Sequence, residues 1–282
     1  MEQLRFTYTI IEIINLMIVR IRVKPKDSND TSEHSINVGS AKVLSGKIHI
    51  LSIFVGSKNQ LWESEDIHMV KQQLYEAERW LKSEASRYGE NVEFYNTAFG
   101  SDGTFVDNDI PEGSHIPNAY FYPSYILKKV GFKSETSYVD WMKHNTSCEQ
   151  CLVILFCNKQ GRSYASPTNT DLLNYNSDKF NLECCLLYRY YSDSLIETTT
   201  ASIAHEILHL FGAWDLYELD DSDRIRAQKC AQMFPKSIMY DTYRDIWETQ
   251  IDEITAWLVG LKSEGKDWYR WFEPHQEVYY ID

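Results

Sequence analysis

Three short runs, Ile48 to Val55 (IHILSIFV), Cys151 to Cys157 (CLVILFC) and Glu183 to Tyr191 (ECCLLYRYY), are apolar with little alternation and are too short for ordinary helices. A strand with one wet face alternates apolar and polar residues, whereas a run without alternation must be covered on both faces. Between Asp66 and Tyr88, Ile67, Val70, Leu74, Ala77, Leu81, Ala85 and Tyr88 recur at steps of three and four, which predicts a helix with Ser64 as its N-cap and Gly89 as its stop. Asn91 to Ala98 reads as a further strand, and a stretch with Gly100, Gly103, Pro111, Gly113, Pro117 and Pro123 reads as loop. No internal repeat is present. The expectation is a mixed α/β (α+β) sheet with right-handed crossovers.

Composition narrows the function. The chain has 282 residues, and its 28 basic against 41 acidic side chains give a formal charge of -13, so its mean field repels phosphate backbones and no nucleic-acid partner is expected. No apolar run approaches the roughly 20 residues that cross a bilayer, because Phe6 to Val23 is broken by Glu12, Asn15 and Arg20; no membrane span is expected. Glu2 opens the chain and Arg20, Arg22 and Lys24 follow the apolar part, unlike a secretory signal. A cytoplasmic location is therefore expected, with export by a leaderless route as the alternative. Six cysteines are too few for a disulfide scaffold, and the Cys148/Cys151 pair lacks a second pair to complete a structural zinc site. They read as reduced, buried thiols. Residues 1–46 read as an N-terminal extension, with a strand pair or helix over 4–23 and a polar linker from Lys26 to Ser35.

Chemistry concentrates in residues 198–217, TTTASIAHEILHLFGAWDLY. On a helix His205 and His209 share a face, four residues apart, so two imidazoles reach one Zn2+ ion. Glu206 can then act as general base on a water that zinc has acidified to a pKa of about 7. A catalytic zinc usually has three protein ligands and one open position. Gly212 can take a positive φ, end the helix sharply and swing Asp215 back as the third ligand.

Written out, HEILHLFGAWD is HExxHxxGxxD, which resembles the metzincin zinc peptidases, of the aspartate-ligand sort seen in snapalysin. Ser237-Ile238-Met239-Tyr240 lies where that family carries a methionine turn beneath the metal, and the resemblance makes Met239 the supporting floor. Several metzincins place a tyrosine two residues after this methionine; here Asp241 stands there, with Tyr240 and Tyr243 as candidate oxyanion donors. Trp247, Ile251, Ile254, Leu258 and Leu261 would form the family's C-terminal helix. The resemblance covers roughly residues 47 to 262.

It implies a zincin/metzincin-type domain over 47–282: a mixed twisted sheet with a backing helix and an active-site helix in an upper subdomain, 47–212, and a smaller lower subdomain, 213–282, with the cleft between. The strand Cys151 to Cys157 and the segment Gly161 to Ala165 would be the sheet's last strands, the outermost one pairing with an extended protein or peptide substrate. The implied activity is zinc-dependent endopeptidase. An aspartate ligand lowers the site charge from +2 to +1, which predicts activity at a somewhat higher pH than three histidines would give. Two alternatives are a catalytically silent zincin-fold binding module, and another zincin type whose third ligand is Glu218 or Asp220. Asp102, Asp107 and Asp109 do not fit an EF-hand loop, and His49, His68, His115, His144 and His275 stand alone.

Overall fold

The computed structural model describes residues 39–111, 116–166, 182–191, 197–219 and 221–274. The segments read over 4–23 and 26–35, together with His115, Asp220 and His275, lie outside the described residues. Among the described residues five strands form one mixed sheet in the order β2-β1-β3-β5-β4. β1 (Gly46–Val55) pairs in parallel with β2 (Val92–Phe99) and β3 (Gln150–Gly161), and β3 pairs in parallel with β5 (Cys184–Tyr191). Short β4 (Tyr164–Ser166) lies antiparallel on β5 at the edge.

The unbroken apolar runs have the physical reason expected of them. Alternate residues of β1, β3 and β5 enter two separate cores, with Ile48, Ile50, Leu152, Ile154, Cys185 and Leu187 on one face and Leu51, Ile53, Val153, Leu155, Cys184 and Leu186 on the other. α1 (Ser64–Arg87) covers the first face with Ile67, Val70, Leu74, Ala77, Leu81 and Ala85. Its N-cap is Glu63 and not Ser64, and no side chain caps it. Gly89, at φ +84°, closes it, with its N–H bonded to Ser86 O and that of Glu90 to Ala85 O.

The opposite face departs from expectation. The stretch read as loop contains α2 (Ile116–Lys129), and α3 (Glu135–Asn145) follows it. Pro117 falls in the first turn of α2, where an amide N–H has no acceptor within the helix, so it starts the helix and does not break it. Pro123 sits inside α2 and removes one bond. α3 is held by a reciprocal cap in which Ser134 and Ser137 bond each other's backbone N–H, a pairing less conspicuous in sequence than the usual Glu or Gln. β3 is also a central strand and not one of the last, since β5 lies between it and the edge.

The C-terminal stripe is likewise not one helix. Ile246–Glu248 is a 3-10 turn, Asp252 caps a fresh helix, and Trp247 is half exposed; Ile251, Ile254, Leu258 and Leu261 are buried. Upstream of β1, Ala41 and Leu44 are fully buried, and the Leu44 N–H bonds Val259 O. All six cysteines are buried and free, and burial pushes the Cys151 thiol up to about 12. No helix of the described residues is long and apolar enough to cross a membrane.

Two buried polar side chains tie β-strands to helices. His49 bonds the Tyr138 hydroxyl at 2.8 Å and Thr97 at 2.9 Å, and burial lowers its pKa to about 4. Glu78 accepts a bond from Asn96 at 2.7 Å, yet burial outweighs that bond and raises its pKa from 4.5 to about 7. Between those pH values the unfolded chain has released this proton while the folded chain keeps it. The stability this proton contributes, complete below 4.5, is therefore lost as pH rises through about 7. Urea midpoints compared at pH 4.5 and above 7 should fall less in Glu78→Gln than in the wild type.

Candidate metal centre

α4 (Thr200–Leu210) carries His205, Glu206 and His209 on a helix buried against the sheet and α1. Thr199 caps it: the hydroxyl accepts from Ser202 N at 3.0 Å and donates to Thr242 O at 2.9 Å, so the start of the helix is tied to the turn after Met239. Its far end is a double-bonded glycine stop. The Ala213 N–H reaches Leu208 O at 3.1 Å, the Gly212 N–H reaches His209 O at 2.9 Å, and Gly212 stands at φ +96°. A residue with a Cβ is strained there, and the reversal is what returns the chain to the histidines.

Three ligand atoms then converge. His205 Nε2 and His209 Nε2 are 3.0 Å apart, and Asp215 Oδ1 is 3.2 Å from the first and 3.1 Å from the second. The other ring nitrogens are already engaged, His205 Nδ1 with Ile238 O at 3.1 Å and His209 Nδ1 with Ala213 O at 2.8 Å. Backbone carbonyls only accept, so both Nδ1 atoms carry a proton and both Nε2 atoms are turned to the cluster, where each can take a metal ion or a further proton. Tetrahedral ligands at about 2.0 Å from zinc would stand about 3.3 Å apart, close to the spacing found. This donor set suits a divalent cation.

The electrostatics agree with that reading. Burial pushes the His209 imidazolium down, but the Asp215 carboxylate outweighs it and raises the pKa to about 9. Burial likewise opposes the Asp215 charge, and the two imidazoles hold it well below the usual carboxylate range. Glu206 is 8% exposed, burial raises its pKa, and its Oε2 has no hydrogen-bond partner among the described residues. An orphaned buried oxygen facing two imidazoles is a strong local demand for a donor.

Beneath the cluster, Ser237 to Asp241 forms a tight turn, with the N–H groups of Tyr240 and Asp241 on Ser237 O. Met239 is fully buried, its carbonyl accepts from Leu216 N at 2.9 Å, and its own N–H bonds Ser237 Oγ at 3.1 Å. Ser237 Oγ in turn donates to Asp252 Oδ2 at 2.6 Å, and Asp252 caps the helix Glu253–Leu258.

Other expected residues stand apart. Glu218 pairs with Arg224 at 3.3 Å and is not in the cluster. Tyr243 is 70% exposed, its ring 5.9 Å from that of Tyr191. Tyr240 is half-buried and lines a cavity of about 510 Å³ with Tyr217, Ala227, Ala231 and Asp241. Sequence reasoning missed three residues. Tyr217 lays its ring on that of His205, with centroids 6.0 Å apart at 25°. Arg226, buried on α5 (Arg224–Met233), pairs with Asp223 at 2.5 Å and donates to the carbonyls of Asp215 at 2.7 Å and Tyr217 at 2.9 Å. Arg162 is exposed in the β3–β4 turn, and its charge favours the ionised form of Glu206. The only local hint was the three-residue spacing of Asp223 and Arg226.

No protein-family model matches this sequence, and comparison with curated proteins finds no significant match.

Asp215→Ala should weaken zinc binding at least about 100-fold in competition with a chelator, whereas Glu218→Ala should leave it unchanged. Arg226→Ala should destabilise the fold by about 3–5 kcal/mol in urea unfolding, because it strands the buried Asp223 carboxylate.

Proposed function

We propose that this chain is a zinc-dependent endopeptidase of the metzincin kind, with His205, His209 and Asp215 on the metal, Glu206 as general base and Met239 in the supporting turn. The observation that carries the reading is the convergence of two imidazole nitrogens and a carboxylate oxygen within 3.0–3.2 Å beside a buried carboxylate oxygen without a partner among the described residues. A zinc ion held there supplies Lewis-acid polarisation of a carbonyl and acidifies a water.

The chain's own residues supply the rest. Glu206 accepts a proton from the attacking water as its oxygen bonds the carbonyl carbon, and passes that proton to the leaving nitrogen as the C–N bond breaks. Burial favours the protonated form of Glu206 and so helps it hold the proton between those steps. No covalent intermediate with the chain is needed. Edge strand β4 packs near the active helix and pairs with β5 on one side, so its outer side is the natural place for an extended peptide to add as a strand. Such pairing reads backbone, which suits a polypeptide substrate.

Zinc-loaded protein incubated with a diverse peptide library should produce cuts. Glu206→Gln should bind zinc equally well and cleave about 10²- to 10⁴-fold more slowly. Equal cleavage by both proteins would reject Glu206 as the base.

A further inference from the structure

The cavity of about 510 Å³ starts beside the metal cluster, because Tyr217 belongs to both. Its ring lies on that of His205, and it shares the cavity wall with Tyr240, the residue after buried Met239. The rest of the wall comes from Glu218, Asp241 and one face of α5, where Ala227 and Ala231 stand one turn apart with Gln228 and Gln232 beside them. The alanines keep that side short and apolar, and the volume leaves room for one long side chain of a ligand. Among the described residues no basic side chain is part of the wall.

The two acids of the wall are compensated unequally. Both oxygens of Asp241 are engaged, Oδ2 by Arg244 Nε at 2.8 Å and Oδ1 by the Tyr243 N–H at 2.9 Å. Arg224, by contrast, is shared: it donates to Asp221 at 2.7 Å and to Glu218 at only 3.3 Å. One guanidinium thus serves two carboxylates, the trio keeps a net negative charge, and Glu218 is the more loosely held. Glu218 is 42% and Arg224 57% exposed, and a pair so exposed is weak and readily exchanged. The complement of this wall is a cation on an aliphatic stem. The stem packs along the alanines, the charge reaches Glu218, and tyrosine rings, unlike aliphatic walls, attract a cation. The chain's net charge of -13 favours the approach of such a substrate.

We propose that this cavity receives a lysine or arginine side chain of the substrate beside the scissile bond, with Glu218 as the residue that selects it. The inference rests on the peptidase reading. Glu218 stands outside the group of ligand atoms, so it chooses the substrate without taking part in the chemistry. A norleucine in place of lysine keeps the stem and loses the charge, and discrimination between the two is the signature of the role. The ion pair is made equally in the bound substrate and in the transition state, so its loss falls on KM and leaves kcat nearly untouched.

The test compares the full zinc-loaded chain with Glu218→Gln and Ala231→Leu, each with its zinc content measured. Cleavage of matched peptides that differ only in lysine or norleucine beside the cut is paired with calorimetric binding of Nα-acetyl-arginine amide and Nα-acetyl-norleucine amide. The expected result is unchanged zinc content throughout and, in the wild type, a preference of about fivefold or more for the basic member of each pair. Glu218→Gln should bring that preference within about twofold, through a higher KM for the lysine peptide at unchanged kcat. Ala231→Leu, which narrows the cavity and leaves the charge, should weaken both members alike. No basic preference in the wild type, or a preference that survives Glu218→Gln, overturns the proposal. If the wild type cleaves no peptide, the peptidase reading fails while the amide comparison still decides the cavity: arginine selectivity lost in Glu218→Gln supports it, and equal binding of the two amides by the wild type overturns it.

Discussion

Three atoms that compete for one positive charge, a proton or a metal ion, lie 3.0–3.2 Å from one another, and much of the lower half of the molecule is arranged around that proximity. Facing lone pairs at this distance repel, so the arrangement must be imposed from outside or relieved by a positive charge. It is imposed by backbone carbonyls. Ile238 and Ala213 take the Nδ1 protons of the two histidines, the glycine stop at Gly212 reverses the chain, and Arg226 grips the carbonyls on either side of Leu216. Relief comes from a proton shared with Asp215 or from a metal ion, and zinc has the geometry to fit.

The sheet supplies the rigidity. Since β1, β3 and β5 are covered on both faces, α4 packs on a foundation that cannot yield without disturbing two cores. Arg189 near the end of β5 forks onto Asp66 in the first turn of α1 at 2.5 and 2.6 Å, locking the strand before the histidine-bearing helix to the helix beside it. On the other side, Glu84 accepts from Ile251 N at 2.7 Å, which fastens α1 to the segment that closes the methionine turn. Two of the candidate ligands thus hang from one helix and the third from the turn that follows it, but their supporting bonds come from separated stretches of chain.

What could be read in the sequence follows from the range of each interaction. The strands and the long helix α1 were legible because unbroken apolar runs and a three-four period are local records of burial. His205, Glu206, His209, Gly212 and Asp215 were legible because a helix and its glycine stop bring them together over eleven residues. α2 was not, because proline in a first turn looks the same as proline in a loop. The helix stripe from Trp247 failed because Asp252 starts a new helix, and capping by one aspartate outweighs a period that only happens to continue. Arg162, Tyr217 and Arg226 were invisible because they meet the site only through tertiary packing. A family motif drew attention to Tyr240 and Tyr243, whereas the tyrosine stacked on His205 is Tyr217.

The central claim is that this cluster exists to hold a zinc ion through two imidazoles and one carboxylate. X-ray absorption at the zinc edge, on the full chain equilibrated with one equivalent of zinc, tests it most directly. The account predicts a shell of nitrogen and oxygen at about 2.0–2.1 Å with two imidazole signatures and no sulfur. A sulfur shell near about 2.3 Å, which would place the metal on the buried cysteines, or no tight zinc uptake at all, would contradict it.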